Sequence, residues 1–135
     1  MQTELPRLSL VIPVFNGAAT VPCLVKELAH VFRNVPHETI LVNDGSTDET
    51  EQICLGLAVT PNIMFVQLTH NFGEFGAVMA GLRHSRGTHV VVLDDDGQNP
   101  PEEALRLYQS ILGTGFEVVY GRYRTKHHSW IIRSS

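Results

Sequence analysis

The chain has 135 residues, of which 43% are hydrophobic and 18% are charged, and its formal net charge is -4 at pH 7. This length suits one domain with a single core, and the apolar content excludes intrinsic disorder. The negative charge excludes nonspecific nucleic-acid binding, which needs a concentrated Lys/Arg surface, and implies that any bound polyphosphate would need a cation.

Short apolar runs alternate with segments of helical spacing along the chain. The apolar runs are rich in Val, Ile and Leu and predict strands, whereas the segments between them predict helices. Because parallel strands require crossover connections, the alternation predicts a Rossmann-like α/β domain with a mostly parallel sheet and helices on both faces. The predicted elements are strand 8–15, helix 21–32, strand 39–42, helix 48–57, strand 63–68, helix 73–84, strand 89–93, helix 101–112 and strand 116–120.

Local signals mark where the predicted helices begin and end. Pro22 suits the first turn of the first helix, and Ser46 with Glu49 forms a capping-box pattern before the second. Pro101 and the two acids after it suit the start of the fourth helix, and Gly113 suits its end. These signals support the predicted division of the chain.

The cysteines and the N-terminus bear on the compartment. Cys23 and Cys54 each lie in an apolar helical pattern without a metal-ligand spacing, which predicts buried reduced thiols. Residues 1–7 are polar and the apolar run 8–15 is too short to cross a bilayer, so no signal peptide is expected. We therefore expect a cytoplasmic protein.

Polar and glycine-containing segments follow the first four predicted strands. In an open parallel sheet, ligands bind beyond the carboxyl ends of the strands, near the point where strand order reverses. We therefore expect these segments to meet at one edge of the sheet and to form the site. They are residues 13–17, 43–46, 70–73 and 94–98.

Three consecutive acids, Asp94, Asp95 and Asp96, directly follow the apolar run 90–93. Their mutual repulsion favours a neutralising divalent cation, and hard oxygen ligands suit Mg²⁺ or Mn²⁺. If the extended backbone continues, side-chain alternation places Asp94 and Asp96 on one side. The alternative is a solvated acidic turn before the next helix. The expected burial of the upstream run favours the metal site.

Candidate nucleoside ligands follow the first two strands. Asp44 precedes Gly45, so its carboxylate would accept hydrogen bonds from a base or ribose while the glycine allows close approach. A plain turn with Ser46 as helix N-cap is the alternative, and both hold together. Pro13 and Phe15 would offer a rigid backbone and an aromatic face to a base, although a Phe at a strand end is more often part of the core.

Two further segments have open interpretations. The predicted helix 73–84 is rich in Gly and Ala, which favours close packing on the sheet over a ligand at its N-terminus. The end of the chain places Arg122, Arg124, Lys126 and Arg133 around Trp130. That tail is either a solvated frayed terminus or a contact for pyrophosphate, a lipid phosphate or an anionic membrane.

Taken together, these motifs resemble the family 2 glycosyltransferases of the GT-A fold. The nearest branch is the one that charges polyprenyl phosphates, such as dolichyl-phosphate mannose synthase and the undecaprenyl-phosphate glycosyltransferases. Residues 11–16 resemble the opening of the family and residues 42–48 its second motif. Residues 94–102 resemble the polyprenyl branch's Asp-Ala-Asp-Leu-Gln-Asp/Asn-Pro-Pro-Glu, which is the most specific of the three.

The resemblance implies roles for single residues. Pro13, Phe15 and Asp44 would hold the nucleoside of a UDP- or GDP-sugar. Asp94, Asp96 and Gln98 would hold Mg²⁺ or Mn²⁺ and, through it, the diphosphate, which makes Asp94 and Asp96 the expected catalytic pair. Asp95 stands where an alanine is common. The remaining residues expected around the donor are Asn16, Asp95 and Arg122.

The resemblance also implies how the chain is organised. Residues 1–135 would form the donor-binding part of a glycosyltransferase domain, with the acceptor-binding region and any membrane region absent, so the fragment alone would be inactive. The implied reaction is a metal-assisted inverting transfer from a nucleotide sugar to a polyprenyl phosphate or a saccharide. A lipid phosphate is already a nucleophile and needs no base. Membrane association, at the cytoplasmic face, would come through the missing C-terminal region.

Two other classes of function remain open from the sequence. An acidic run after a hydrophobic strand also begins the haloacid-dehalogenase phosphatases, where the first acid is a nucleophile. That motif normally follows the first strand and continues with Thr or Val, whereas here it follows the fourth strand and continues with Gln98. The third possibility is a noncatalytic nucleotide-sugar-binding domain.

Overall fold

The structure is a computed structural model that describes residues 6–97, 100–114, 118–122 and 128–133. Strands and helices alternate through α4, and two strands follow it. The order is β1 Leu8–Val14, α1 Val21–Val31, β2 His37–Asn43, α2 Thr50–Leu57, β3 Ile63–Gln67, α3 Glu74–His84, β4 His89–Val92, α4 Pro101–Ile111, β5 Val118–Arg122 and β6 His128–Arg133. The nine predicted elements are therefore confirmed within a few residues, and β6 is an addition.

The sheet has the strand order β3-β2-β1-β4-β6-β5. The first four strands in this order are parallel, whereas β6 runs antiparallel to both β4 and β5. Strand order reverses between β1 and β4, which is where a ligand is expected in such sheets. The mostly parallel α/β fold predicted from the sequence is confirmed.

The strand β6 corrects the expectation of a frayed terminus for residues 128–133. These residues pair with β4 from His89 to Val92, which places them inside the sheet rather than in solvent. The sequence signal for this strand is weak, because polar residues precede Trp130 and the apolar run from Trp130 to Ile132 is short. The other basic residues of that tail, Arg124 and Lys126, lie outside the described residues.

Alternating side chains of β1 supply the core on both faces of the sheet. Leu10 and Ile12 pack with α1, α2 and α4 on one face, while Val11 packs with α3 on the other. The small residues of α3 allow close approach: a Cβ at Gly81 would lie 2.4 Å from Val11 Cγ1. The expected close packing of this helix on the sheet is confirmed. Ala77 is fully buried in the same contact.

The start of α2 differs from the capping-box prediction. The helix begins at Thr50, its N-cap residue Glu49 makes no side-chain cap, and the N–H of Thr50 donates to Asp48 Oδ1 at 2.9 Å. Ser46 accepts a hydrogen bond from the backbone N–H of Asn16 at 2.8 Å instead. The capping-box assignment is therefore wrong, because the hydroxyl is used between two loops rather than within one helix.

The two thiols lie in different environments. Cys54 is buried, and burial raises the pKa of its thiol to about 11. Cys23 is exposed, so the expectation that both thiols are buried is wrong for Cys23. The apolar stripe of α1 is formed by neighbouring positions such as Leu24 and Leu28, and Cys23 lies outside it.

A buried polar network lies at the amino ends of β1 and β2. The carboxylate of Glu38 accepts hydrogen bonds from the Ser9 hydroxyl at 2.6 Å and from the backbone N–H of Arg86 at 2.7 Å. Ser9 Oγ in turn accepts from the N–H of Gly87 at 2.9 Å. This network fixes the connection from α3 to β4 at the amino ends of β1 and β2.

Within the part of the chain that the structure describes, no helix is both long and apolar enough to cross a bilayer.

Candidate donor-binding site

A cleft of about 270 Å³ lies at the carboxyl ends of β1, β2 and β4. All four of the predicted strand-end segments border it, as the topology requires. It spans the point where strand order reverses, with residues after β1 on one side and residues after β4 on the other. The lining residues are Pro13, Val14, Phe15, Asp44, Asn71, Gly73, Glu74, Asp94 and Asp95.

A larger cavity of about 510 Å³ lies between α1, α2 and the strands β2 and β3. Its lining is mainly apolar and includes none of the residues predicted to bind a ligand. We therefore place the candidate site in the smaller cleft, where acidic side chains and an exposed aromatic ring converge.

The backbone of the loop 15–18 is held by side chains from two other loops. The N–H groups of four consecutive residues each donate a hydrogen bond to an oxygen of a distant side chain, at distances from 2.8 to 3.3 Å. The acceptors, in order from residue 15 to residue 18, are Asp95 Oδ2, Ser46 Oγ, Thr50 Oγ1 and Asp48 Oδ2.

This arrangement has a chemical consequence. In a dinucleotide-binding fold, free N–H groups of the first strand–helix loop bind the pyrophosphate. Here the N–H groups of residues 15–18 already have acceptors. A diphosphate in this cleft therefore requires another source of positive charge.

Asn16 connects the loop after β1 to the loop after β2. Its backbone has φ of 52°, and its side-chain oxygen accepts from Thr47 N at 2.8 Å and from Asp48 N at 3.3 Å. Asparagine tolerates this left-handed conformation better than most residues. These contacts assign Asn16 to the support of the site, and its predicted contact with the donor stays a prediction.

Asp44 faces the cleft from the end of β2. It is 4% exposed, and its Oδ1 accepts a hydrogen bond from the backbone N–H of Phe72 at 2.7 Å. No donor among the described residues contacts Oδ2, so that oxygen is available for a ligand. The predicted position of Asp44 at the site is consistent with this geometry.

Gly45 allows the loop after β3 to pack closely. Its φ is +69°, and a Cβ there would lie 2.5 Å from the backbone nitrogen of Asn71. Through this packing Gly45 helps to place the N–H of Phe72 beside Asp44. The close approach of a ligand at Gly45 stays a prediction.

The acidic segment after β4 is a turn rather than a continued strand. β4 ends at Val92, and Asp95 and Asp96 lie in a turn, so the condition for placing Asp94 and Asp96 on one side by strand alternation is not met. Asp94 and Asp95 border the cleft, whereas Asp96 is exposed just beyond its lining. Gln98 lies outside the described residues.

Asp95 is half-buried and contacts the first loop. Burial raises the pKa of Asp95 above its ordinary value, although the hydrogen bond from Phe15 opposes this shift, and the nearby charges of Asp96 and Asp94 add to the increase. The Asp95 carboxyl group therefore holds its proton more readily than a freely solvated aspartic acid does.

The cleft has acidic side chains and no cation in its described lining. Four carboxylates border it, from Asp44, Glu74, Asp94 and Asp95, while neither Lys nor Arg does. No three acidic, His or Cys side chains of the described residues are grouped closely enough to hold a metal ion by themselves. The carboxylate oxygens thus suit a hard cation, but the cation would need further oxygen ligands from the bound molecule.

The aromatic candidates lie at the rim. Phe15 is 47% exposed, which contradicts a core role and leaves its ring available to a base. Pro13 borders the same cleft. In the loop after β3, His70 and Phe72 stack with ring centroids 3.8 Å apart. Arg122 lies in β5, and its side chain is outside what the structure describes.

Sequence reasoning missed the residues that support the loops. Thr20, Thr50 and Asp48 lie away from the strand ends or inside helical patterns, and their partners are 30 or more residues away in the chain. The close spacing of hydroxyl and acidic residues after Gly45 was a signal, but it fits a local cap equally well.

Curated relatives share this chain's pattern. An undecaprenyl-phosphate 4-deoxy-4-formamido-L-arabinose transferase from Serratia proteamaculans is 35% identical over 133 residues, covering 96% of this chain and 40% of that protein. Its namesake from Pectobacterium carotovorum subsp. carotovorum is 36% identical over 137 residues, covering 98% and 41%. The chain spans about two fifths of the length of these relatives.

Solved structures share the fold. Glucosyl-3-phosphoglycerate synthase from Mycobacterium tuberculosis in complex with UDP has a TM-score of 0.72 at 25% identity, covering 90% of this chain and 46% of that one. A mannosyltransferase from Pyrobaculum calidifontis in complex with GDP-Man and Mn²⁺ has a TM-score of 0.69 at 25% identity, covering 90% and 37%. The fold class is thereby confirmed as that of GT-A glycosyltransferases.

The sequence pattern described as Glycosyl transferase family 2 matches residues 9–131, a range that contains all four strand-end segments of the cleft. This chain belongs to glycosyl transferase family 2.

Proposed function

We propose that residues 1–135 form the donor-binding part of a glycosyltransferase that transfers a sugar from a UDP- or GDP-sugar to a polyprenyl phosphate. The donor classes follow from the UDP and GDP-Man complexes of the two structural neighbours. The acceptor class follows from the names of the curated relatives. A lipid phosphate acceptor also favours action at the cytoplasmic face of a membrane.

One observation carries the proposal: four carboxylates line a cleft at the point where strand order reverses, which is where a ligand binds in such a sheet. A nucleoside diphosphate requires positive charge, and the N–H groups of the loop 15–18 do not supply it. A divalent ion held by the acidic turn would supply the positive charge that the diphosphate requires.

The nucleoside and the ion would contact different residues of the cleft. Phe15 would stack on the base, and the available oxygen of Asp44 would accept a hydrogen bond from the base or the ribose. Asp94, at the lining, and Asp96, just beyond it, would hold Mg²⁺ or Mn²⁺, which when bound offsets the charge that develops on the leaving diphosphate. We propose an inverting displacement, in which the acceptor oxygen attacks the anomeric carbon from the face opposite the leaving group.

The proposal predicts that metal and nucleotide bind cooperatively. Because the described side chains do not hold an ion by themselves, Mn²⁺ alone should bind weakly, and UDP or GDP should raise its affinity by at least about tenfold. By reciprocity, Mn²⁺ should raise the affinity of the nucleotide by the same factor. Electron paramagnetic resonance of free Mn²⁺ and calorimetry with UDP and GDP measure the two sides.

Two variants test the residues. Asp96→Ala should abolish the Mn²⁺-dependent part of nucleotide binding, since one of two proposed metal ligands is lost. Glu51→Ala removes an exposed carboxylate on α2, outside the cleft, and should leave binding unchanged. Equal affinity of wild type and Asp96→Ala in the presence of Mn²⁺ would contradict the metal assignment.

The family assignment replaces the phosphatase alternative considered from the sequence. Hydrolysis of a generic aryl phosphate by this chain would reopen it. A noncatalytic nucleotide-sugar-binding role is separated from the proposed transfer by assaying a longer protein that includes the region which the curated relatives have in addition.

A further inference from the structure

Asp95 connects the acidic turn after β4 to the loop after β1. Its Oδ2 accepts a hydrogen bond from the backbone N–H of Phe15 at 2.9 Å, and its backbone carbonyl accepts one from the Thr20 hydroxyl at 2.7 Å. The middle acid of the turn is thus bonded to both ends of the loop that follows β1.

Thr20 makes this contact in place of its usual local role. It occupies the N-cap of α1, where a threonine side chain commonly accepts a hydrogen bond from the first turn of the helix. No such side-chain cap is present, and the hydroxyl donates to Asp95 and, more weakly, to Gly17 at 3.4 Å. The N-cap residue of α1 therefore holds the acidic turn.

The packing around the Asp95 carboxylate leaves little freedom. A Cβ at Gly17 would lie 3.1 Å from Asp95 Oδ2 and 2.8 Å from Val14 Cγ1, so the absence of a side chain at Gly17 makes room for the carboxylate. The half-buried carboxylate is enclosed on that side and directed to the amide of Phe15.

We propose that Asp95 is a positioning residue that fixes Phe15 and its exposed ring relative to the acids Asp94 and Asp96. Thr20 in turn holds Asp95 in place. Asp95 is then not a metal ligand, although it lies between two candidate ligands. This inference rests on the proposed function, because Phe15 is proposed to contact the nucleoside and Asp94 and Asp96 are proposed to hold the diphosphate through the ion.

Conservative variants separate positioning from metal ligation. Asp95→Asn retains an oxygen that accepts from Phe15 N–H but removes the charge, whereas Asp95→Ala removes both. We expect Asp95→Asn to keep UDP or GDP affinity in Mn²⁺ within about threefold and Asp95→Ala to weaken it by about tenfold or more. Asp96→Asn, at a proposed ligand, should lose the Mn²⁺-dependent binding that Asp95→Asn retains.

Thr20 offers an independent pair. Thr20→Val removes the hydroxyl at nearly constant volume, and Thr20→Ser retains it. We expect Thr20→Val to weaken nucleotide binding in the same direction as Asp95→Ala and Thr20→Ser to stay close to wild type. Combining Phe15→Ala with Asp95→Ala should cost little more than Phe15→Ala alone, because Asp95 acts through the position of Phe15.

Amide hydrogen exchange of Phe15 tests the contact without any nucleotide. The Phe15 N–H should exchange slowly in wild type and Asp95→Asn and at least about tenfold faster in Asp95→Ala. Equal exchange in all three proteins, or equal loss of affinity in Asp95→Asn and Asp95→Ala with wild-type binding intact, would overturn the inference alone. Failure of wild type to bind either nucleotide in Mn²⁺ would instead overturn the proposed function.

Discussion

Single hydroxyl groups determine the shape of the loop after β1. Thr50 is fully buried, and its Oγ1 accepts from the N–H of Gly17 at 3.0 Å while donating to Asp48. That hydrogen bond from Thr50, together with those from backbone N–H groups, lowers the pKa of Asp48. These groups lie behind the cleft and support it without lining it.

Thr50→Val should therefore destabilise the fold. The substitution keeps the shape of the side chain but leaves the N–H of Gly17 without an acceptor, which costs about 1–3 kcal/mol. Thr60→Val is the matched control, since Thr60 is exposed and its hydroxyl has no bonded partner among the described residues. Urea unfolding measures both, and equal stability of the two variants would contradict the assigned role of Thr50.

A pair of glycines tests the packing of the loop after β2. Gly45→Ala should destabilise the protein by about 1–3 kcal/mol, because the φ of +69° is strained for alanine and its Cβ would clash with Asn71. Gly56→Ala should be neutral or stabilising by up to about 1 kcal/mol, since Gly56 is helical with open space around it. Thermal unfolding of both variants would show the opposite signs, and a stabilised Gly45→Ala would contradict the argument.

Among the secondary-structure elements, the carboxyl and amino ends of the parallel strands have different roles. The carboxyl ends present the cleft, whereas the amino ends of β1 and β2 hold the buried Ser9 and Glu38. The Glu38 side chain is 3% exposed and its partner Arg86 is 56% exposed, so the ion pair is only half buried. Glu38 is therefore important as an acceptor more than as one member of an ion pair.

Glu38→Ala should cost more stability than Arg86→Ala. Removal of Glu38 leaves the Ser9 hydroxyl and the Arg86 N–H without their acceptor, at about 2 kcal/mol or more. Removal of the Arg86 side chain leaves both of those bonds in place and should cost below about 1 kcal/mol. Neither variant should change the nucleotide affinity of folded protein, and a loss of affinity in Arg86→Ala would contradict the separation of the two ends.

For the whole molecule, the sheet places its functional groups on one edge while three helices cover one face and α3 covers the other. The two thiols differ in exposure for this reason, because Cys54 lies on the buried side of α2 in the core and Cys23 lies on the exposed side of α1. Burial raises the pKa of Cys54 to about 11. A core that opens would expose it.

Cys23 should therefore react with a disulfide reagent in the native protein, whereas Cys54 should react only on unfolding. The stabilisation by protonated Cys54 is complete below about pH 9 and declines as the pH rises towards 11, because the unfolded thiol loses its proton first. Mass spectrometry after brief alkylation identifies the labelled residue, and unfolding between pH 8 and 10.5 measures the decline. Cys54→Ala should remove that part of the pH dependence, and rapid labelling of native Cys54 would contradict the buried site.

The strand and helix order, the mostly parallel sheet and the segments at the strand ends could all be predicted from the sequence. Periodicity is local and reports burial directly, so β1 and α1 were predicted within a few residues, and parallel topology then brings the strand ends together. Which partner each residue of those segments contacts depends on the tertiary structure. Asp44 and Asp95 both border the cleft, yet Asp44 bonds to the N–H of Phe72 in the loop after β3, whereas Asp95 bonds to the N–H of Phe15 in the loop after β1. Hydrogen bonds between residues 30 to 80 positions apart leave no periodic signal, and for the same reason Ser46 and the strand β6 were misassigned.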